Sequence, residues 1–202
     1  MIASKEHWEH IYQTRQPDDV SWTQAVPSMS LSLIKQLNLA KDARIIDIGG
    51  GDSMLVDFLL NEGYTNLAVL DISAHSLERA KQRLGKSADL ITWIEADIND
   101  FKPEHTYDLW HDRAAFHFLR DPDQQYRYVQ TAAIAATSHL IIGTFSISGP
   151  TKCSGLAIQQ YDEKSMEDRF APLFRKITCS TEDHKTPAGK LQNFIFCTFE
   201  RT

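Results

Sequence analysis

Three consecutive glycines follow a short apolar run in the segment IIDIGGGDS, residues 45–53. Glycine lets a backbone turn sharply and approach a ligand closely, and the free amides at the start of a helix can donate hydrogen bonds. A chain with this segment must pass from a buried strand through a tight bend into a helix. The segment predicts a ligand-binding loop, and a plain tight turn stays open as the simpler interpretation.

The rest of the chain alternates apolar runs with amphipathic segments, which is typical of a parallel sheet covered by helices. Apolar runs predict buried strands at 43–50, 66–73, 90–98, 107–113 and 139–147. Amphipathic spacing predicts helices at 4–14, 28–39, 52–63, 76–85, 123–136 and 163–174. Two alternating segments around the turn TPAG, 175–185 and 190–201, predict an antiparallel hairpin. The predicted fold class is α/β, with a mostly parallel seven-stranded sheet, helices on both faces and an antiparallel C-terminal hairpin.

Composition argues against several classes of partner. With 21 basic and 27 acidic residues the net charge is −6, so we expect no broad basic surface that would attract nucleic acid. A nucleic-acid partner is therefore not expected. No apolar run approaches the roughly 18 residues of a membrane helix, so no membrane contact is expected. The three cysteines lack CxxC spacing and predict free thiols in a reducing compartment, hence a cytoplasmic location. The eight histidines lack HExxH spacing, and no metal is expected.

Two acidic residues follow the second and third predicted strands. Asp71 ends the second strand, where a carboxylate can accept hydrogen bonds from both hydroxyls of a ribose. The alternative role for Asp71 is to help cap the next helix, for which Ser73 is a possible N-cap residue. Asp97 follows the third strand, where it can read the edge of an adenine whose ring lies between Ile72 and Ile98. A surface-loop aspartate is the alternative for Asp97.

In this order, the glycine bend and the two acids resemble the class I, seven-stranded methyltransferases that use S-adenosylmethionine. The motif of that family, acidic-x-Gly-x-Gly-x-Gly, falls on Asp47, Gly49 and Gly51, and Ser53 stands where the third glycine is usual. The C-terminal helix and hairpin match the family's antiparallel seventh strand. The resemblance implies that the glycine loop, including Gly50, holds the methionine end of the cofactor.

The resemblance also implies an organisation for the whole chain. A length of 202 residues suits a single domain, since chains divide into several cores only beyond roughly 250–300 residues. We therefore expect one methyltransferase domain over 1–202. It would consist of an N-terminal helical cap (1–40), a Rossmann-like cofactor-binding core (41–150) and a C-terminal helix with a hairpin (151–202). Whether the protein is a monomer or a homodimer stays open.

The fourth predicted strand and its exit read YDLWHDRAAFHFL, from Tyr107 to Leu119. Ligands bind beyond the carboxyl ends of strands in open parallel sheets, so this exit should face the sulfonium of the cofactor. The Asp112–Arg113 pair resembles the equivalent turn of thiopurine-type small-molecule methyltransferases. The sequence makes His117 and Asp112 the candidate catalytic residues, although a histidine near the end of a strand more often has a structural or cofactor-facing role.

The N-terminal segment HWEHIYQTRQPDDVSWTQAVP resembles the cap that related small methyltransferases fold over the cofactor. Trp22 is then a candidate cofactor contact, whereas Trp8 is better explained as an anchor of its helix. The predicted substrate contacts are Tyr12, Arg113 and Phe116. The predicted cofactor contacts are Trp22, Asp47, Gly49, Gly50, Gly51, Ser53, Asp71, Ile72, Asp97, Ile98 and His111.

These observations predict a methyltransferase that moves a methyl group from S-adenosylmethionine to a small-molecule acceptor and releases S-adenosylhomocysteine. Three alternatives stay open. A protein lysine methyltransferase shares the cofactor elements, and a non-catalytic binder of the cofactor keeps them without the chemistry. A nicotinamide-dependent oxidoreductase shares the glycine loop and the ribose acid, but the Asp97 segment and the terminal hairpin fit it poorly.

Overall fold

The apolar and amphipathic segments form nine strands and six α-helices in a computed structural model that describes residues 4–171 and 173–202. The strands are β1 Arg44–Ile48, β2 Asn66–Asp71, β3 Ile91–Glu95, β4 Tyr107–Arg113, β5 Ala136–Phe145, β6 Lys152–Cys153, β7 Leu156–Ala157, β8 Phe174–Lys185 and β9 Leu191–Arg201. The helices are α1 Lys5–Thr14, α2 Ser28–Gln36, α3 Leu55–Asn61, α4 Ala74–Leu84, α5 Pro122–Ala135 and α6 Glu163–Phe170. Short 3₁₀ turns cover Pro17–Asp19, Gly85–Leu90 and Phe116–Phe118.

Seven of the strands form one sheet in the order β3-β2-β1-β4-β5-β9-β8. Strands β1 to β5 are parallel, and β9 pairs antiparallel with β5 and with β8. The predicted fold class is therefore confirmed. Strands β2 and β3 lie on one side of β1, and strands β4 and β5 lie on its other side. The loops after β1 and β4 therefore diverge. Ligands bind in the crevice that such a reversal leaves at the carboxyl ends of the strands.

Both faces of the sheet are covered, which explains why the strands are continuous apolar runs rather than alternating ones. Alternate residues of β1 enter different clusters: Ile46 and Ile48 pack with Trp110 and Tyr128, whereas Ile45 packs with residues such as Phe145. The Trp110 Nε1 atom donates to the Tyr128 hydroxyl at 2.9 Å, so these two polar groups of the first cluster are paired with each other.

Local turns move some element boundaries away from the predicted ones. The Ser53 amide donates to the Gly50 carbonyl at 2.7 Å and closes a turn, so α3 begins at Leu55 rather than at residue 52. The Ser73 hydroxyl accepts from the Ser76 amide at 3.3 Å and caps α4, which begins two residues earlier than predicted. The helix predicted over 163–174 ends at Phe170. Pro172 of that prediction and residues 1–3 of the predicted cap lie outside the described residues.

The C-terminal hairpin overturns one prediction about the cysteines. Cys179 and Cys197 face each other in the register of β8 and β9 and form a disulfide, with their Cα atoms 4.1 Å apart. The prediction of three free thiols is therefore wrong for two of them, because it rested on spacing along the chain and not on strand pairing. Cys153 is free and buried. The cytoplasmic location stays a prediction.

A polar contact joins the far end of this hairpin to the segment that precedes α2. The His184 Nε2 atom donates to the Ser21 carbonyl at 2.7 Å, and its Nδ1 atom lies 3.4 Å from Gln24 Nε2. Burial lowers the pKa of His184, which favours the neutral ring that these two contacts require. The N-terminal and C-terminal parts of the chain thus meet beside the carboxyl ends of the central strands.

None of the helices in the described ranges is long and apolar enough to cross a membrane. The division of the chain into cap, core and C-terminal part stays a prediction. The structure adds that α1 packs against α4, so the N-terminal helix lies over the helix that follows β2.

Candidate functional site

A cavity opens at the carboxyl ends of β1, β2 and β4, where the strand order reverses. We call it the first cavity. Its wall consists of Trp8, Tyr12, Trp22, Ile48, Gly49, Leu70, Asp71, Ile72, Ala96, Asp97, Ile98, Asn99, Arg113, Ala114, Ala115, Phe118, Leu119, Gln124 and Cys153. The wall combines a broad apolar surface with a few polar groups, as is typical of a small-molecule site.

The glycine bend makes room at one end of the first cavity. Gly49 has a φ of +64°, and a Cβ there would lie 2.7 Å from the Cβ of Ala115. Gly51 has a φ of +41°, and a Cβ there would lie 2.7 Å from the Asp71 Oδ2 atom. Larger residues at these positions would strain the backbone and collide with the neighbouring loop or carboxylate. The bend therefore brings bare backbone between two other parts of the wall.

Asp71 closes β2 and is buried beside this bend. Its Oδ1 atom accepts a hydrogen bond from the Ser73 amide at 2.8 Å, so the capping interpretation and a place on the cavity wall hold together. Burial raises the pKa of this carboxyl to about 7, against the hydrogen bonds from Ser73 and Ser76, and the nearby Asp47 and Glu9 raise it further. The ionised carboxylate of Asp71 is thus incompletely stabilised by the protein, and it can accept hydrogen bonds from donors of a ligand in the cavity.

The loop after β3 supplies the opposite end of the wall. Asp97 Oδ1 accepts from the backbone and side-chain amides of Asn99, each at 2.8 Å. The Asn99 Oδ1 atom is left buried without a hydrogen-bond partner in the described part of the chain. Asn99 was not among the predicted site residues, and its only sequence signal is a polar side chain two positions after Asp97.

Aromatic rings from the N-terminal segment cover the first cavity. The Trp8 ring lies 5.0 Å from the Phe118 ring and 5.8 Å from the Trp22 ring, and Tyr12 lies 6.3 Å from Trp22, measured between centroids. Trp8 therefore belongs to the wall as well as anchoring α1. Burial and the charge of Asp71 raise the pKa of Tyr12 well above its ordinary value, so its hydroxyl is neutral.

Asp47 and His111 lie in a buried chain of hydrogen bonds that the sequence did not predict. Asp47 Oδ1 lies 2.7 Å from His111 Nδ1, and His111 Nε2 lies 2.9 Å from the Ser30 hydroxyl. Both ring nitrogens of His111 are thus partnered. The chain ties α2 to β1 and β4 and leaves Asp47 and His111 outside the wall of the first cavity.

Asp47, His111 and Ser30 line a second cavity on the other side of the bend. We call it the second cavity. Gly50 and Ser53 also lie there, and the Ser53 hydroxyl accepts from the Leu55 amide at 3.2 Å. The two cavities meet at four shared wall residues, namely Tyr12, Trp22, Gly49 and Arg113.

Asp112 lies behind the wall, in the turn that leads out of β4. Its Oδ1 atom accepts from the amides of Ala115 and Phe116 at 3.0 and 3.1 Å, and its Oδ2 atom accepts from the Tyr128 hydroxyl at 2.6 Å. Burial raises its pKa to about 6, against these three hydrogen bonds. The turn holds Ala114 at a φ of +69°, a strained conformation for alanine, and the carboxylate fixes the amides that follow it.

His117 and Phe116 are also fully buried and line neither cavity. The His117 Nδ1 atom accepts from the Phe145 amide at 3.4 Å. Burial, with a further contribution from Arg113, lowers the pKa of His117 to about 3, so the ring is neutral and weakly basic. Phe116 stacks on Tyr161 in the core, with centroids 5.5 Å apart.

Arg113, like Tyr12, is a predicted substrate contact that the structure places at the junction of the two cavities. Its Nη1 atom donates to the Trp22 carbonyl at 2.9 Å. In residues 4–171 and 173–202, no group of three or more His, Cys, Asp and Glu side chains gathers as a metal-binding set.

Comparisons with known proteins agree with this geometry. Residues 46–135 match the family described as "Methyltransferase domain". A malonyl-[acyl-carrier protein] O-methyltransferase of Anoxybacillus flavithermus is 39% identical over 82 residues, which are 40% of this chain and 30% of that protein. The mouse eEF1A lysine and N-terminal methyltransferase is 22% identical over 224 residues, covering 99% of this chain and 32% of the mouse protein. The matched parts thus span only about a third of the length of these relatives.

The fold also occurs in a solved methyltransferase with the demethylated cofactor bound. The N-methyltransferase NodS of Bradyrhizobium japonicum, in complex with S-adenosyl-L-homocysteine, superposes with a TM-score of 0.73 at 16% identity, covering 98% of each chain. At this identity the likeness shows the class I methyltransferase fold. The family match, the named relatives and this solved structure are thus all proteins or domains described as methyltransferases.

Proposed function

We propose that this chain transfers the methyl group of S-adenosylmethionine to a small-molecule acceptor. The observation that carries the proposal is the first cavity, whose wall holds Gly49 of the glycine bend, Asp71 and the Asp97–Asn99 loop at the ends of three adjacent strands. The cofactor supplies a sulfonium whose bond to the methyl carbon breaks as the acceptor bonds to that carbon, while sulfur keeps the electron pair.

The polar wall residues would hold the two ends of the adenosine. The Asp71 carboxylate would accept hydrogen bonds from the ribose hydroxyls, since it is buried and its donors in the described part of the chain are local. Asp97 and the unpartnered Asn99 Oδ1 atom would face the edge of the adenine and its amino group. Ile72 and Ile98 would cover the two faces of the ring, and bare backbone at Gly49 leaves room for the methionine end.

The remaining wall would act by positioning the acceptor and by excluding water. Alignment of two reactants supplies about 7–11 kcal/mol in favourable model reactions, and the aromatic rings of Trp8, Trp22 and Phe118 cover the transfer site. We assign Asp112 and His117 to the fold rather than to proton transfer, because neither side chain reaches the wall and His117 is a weak base. The Asp112–Arg113 turn supports a thiopurine-type member as the finer proposal.

Calorimetry with S-adenosylhomocysteine and with NAD tests the cofactor assignment. We expect micromolar binding of S-adenosylhomocysteine and no binding of NAD; the reverse preference would contradict the proposal. Incubation with methyl-labelled S-adenosylmethionine and either a metabolite extract or a protein extract then tests the acceptor. Label in small molecules supports the proposal. Label in protein supports the second candidate, a protein methyltransferase, which the alignment with the mouse enzyme over 99% of this chain favours.

The affinity for the cofactor is expected to fall as the pH is lowered, because Asp71 becomes protonated. Its pKa of about 7 in the empty site means that a proton competes with the ribose hydroxyls for the carboxylate. We expect the Kd of S-adenosylhomocysteine to rise about tenfold between pH 8 and pH 6, because only the ionised form accepts both donors. Calorimetry at constant ionic strength measures this. Asp71→Asn should bind weakly with a flat profile, and a flat wild-type profile would contradict the role of Asp71.

A further inference from the structure

The guanidinium of Arg113 has one edge that nothing in the described chain occupies. Its Nη1 atom is bonded to the Trp22 carbonyl, but its Nε and Nη2 atoms are buried and have no hydrogen-bond partner among the described residues. Nε and Nη2 are adjacent donors that point the same way, the arrangement that binds a carboxylate through two parallel hydrogen bonds. A buried charged group with two unused donors is destabilising until a partner binds it.

The surroundings of Arg113 supply no counterion at contact distance. Glu182 and Asp47 act on it electrostatically, but no ion pair within 4.0 Å joins either of them to Arg113 in the described residues. The Phe194 ring lies 5.0 Å from the guanidinium carbon and covers one face. Burial lowers the pKa of Arg113 only to about 10, so the group stays charged at neutral pH.

Arg113 borders the C-terminal hairpin as well as the glycine bend. Its neighbours Glu182 and Phe194 belong to β8 and β9, at the end of the sheet beyond β4, and Cys153 belongs to the separate pair of strands β6 and β7. Gly49 of the glycine bend shares the wall of both cavities with Arg113. Arg113 therefore lies where the two cavities meet, toward the C-terminal hairpin, and a ligand that enters beside the cofactor can reach its free edge.

Resting on the function proposed above, we propose that the acceptor carries a carboxylate, and that the free edge of Arg113 binds it. The carboxylate serves for binding and is not the atom group that is methylated, because a guanidinium withdraws electron density from the oxygens that it binds and makes them poorer nucleophiles. The methyl group then goes to another atom of the same molecule. The aromatic rings of Trp8, Trp22 and Phe118 would pack against its apolar part.

A matched pair of probes tests this on the full chain saturated with S-adenosylhomocysteine. Benzoate and benzamide have nearly the same shape, but only benzoate carries the charge. We expect benzoate to bind at least about tenfold more tightly than benzamide, as two charge-assisted hydrogen bonds imply. Arg113→Gln should abolish this preference, and Arg113→Lys should keep part of it. Arg127→Gln, which removes an exposed charge on α5, should keep all of it. The proposal is overturned if the wild type binds neither probe or shows no preference for benzoate. It is also overturned if Arg113→Gln keeps the preference.

A second pair of ligands identifies the source of the carboxylate. S-adenosylhomocysteine has a carboxylate, and 5′-methylthioadenosine lacks it. If Arg113→Gln weakens only the former about tenfold, the edge binds the cofactor, and the acceptor assignment is overturned. Equal affinities of wild type and variant for both ligands support the acceptor assignment and show that the variant is folded. Failure of the wild type to bind S-adenosylhomocysteine would instead refute the proposed function.

Discussion

Asp71→Ala is expected to weaken the binding of S-adenosylhomocysteine at pH 8 by a hundredfold or more. The variant loses two hydrogen bonds from ribose hydroxyls to a charged acceptor, each contributing about 1.5–3 kcal/mol when buried. Asp71 lies on the wall of the first cavity, and its hydrogen-bond donors among the described residues are local, from the turn that begins α4. Calorimetry or fluorescence titration of the wild type and the variant measures the loss.

Two further variants separate binding from folding. Asp71→Asn keeps the shape and one acceptor oxygen, so it should lose less affinity than the alanine variant. Asp89→Ala removes an exposed carboxylate from the turn after α4 and should bind like the wild type. An Asp71→Ala protein with wild-type affinity would remove the ribose role, whereas loss of its cooperative thermal transition would point to the Ser73 contact instead.

Asp112→Ala is expected to lower the free energy of unfolding by about 3–5 kcal/mol at pH 8. The substitution removes the hydrogen-bond acceptor of three donors inside the fold, which are the amides of Ala115 and Phe116 and the hydroxyl of Tyr128. Buried donors without a partner are costly, and the strained turn at Ala114 loses its support. Urea denaturation of both proteins measures the difference.

The pH dependence of stability provides the control for Asp112. Its folded-state pKa of about 6 lies above its ordinary value of 3.8, so ionisation of this group favours unfolding. Its favourable contribution is complete below about pH 4 and is lost as the pH rises through 6. Asp112→Asn keeps an acceptor for the two amides and does not titrate. The asparagine variant should therefore be more stable than the alanine variant and lack this pH dependence; equal stability of all three proteins would contradict the role.

The strands and the two acids at their ends could be predicted because the information is local. A strand covered on both faces, such as β1 or β4, is a continuous apolar run, and the residue after it necessarily lies at the ligand edge of the sheet. Asp71 and Asp97 follow β2 and β3 in this way. Their places on the cavity wall were foreseeable without knowing how the helices pack.

Features that depend on tertiary placement could not be predicted in the same way. Spacing alone does not tell on which side of the turn after β4 a side chain points, and His117 and Phe116 turn into the core. The Asp47–His111–Ser30 chain depends on where α2 docks. The disulfide depends on the register of β8 and β9, which shifts at an irregularity between Lys176 and Thr178.

The position of β9 has a consequence for biosynthesis. This strand leaves the ribosome after β8, yet it lies between β5 and β8 in the sheet. While the nascent chain still lacks β9, the flank of β5 and the whole of β8 have no neighbour, and exposed strand flanks readily pair with other polypeptides. The sheet is thus complete only after β9 has left the ribosome, and chaperone capture of the growing polypeptide would be concentrated before that point.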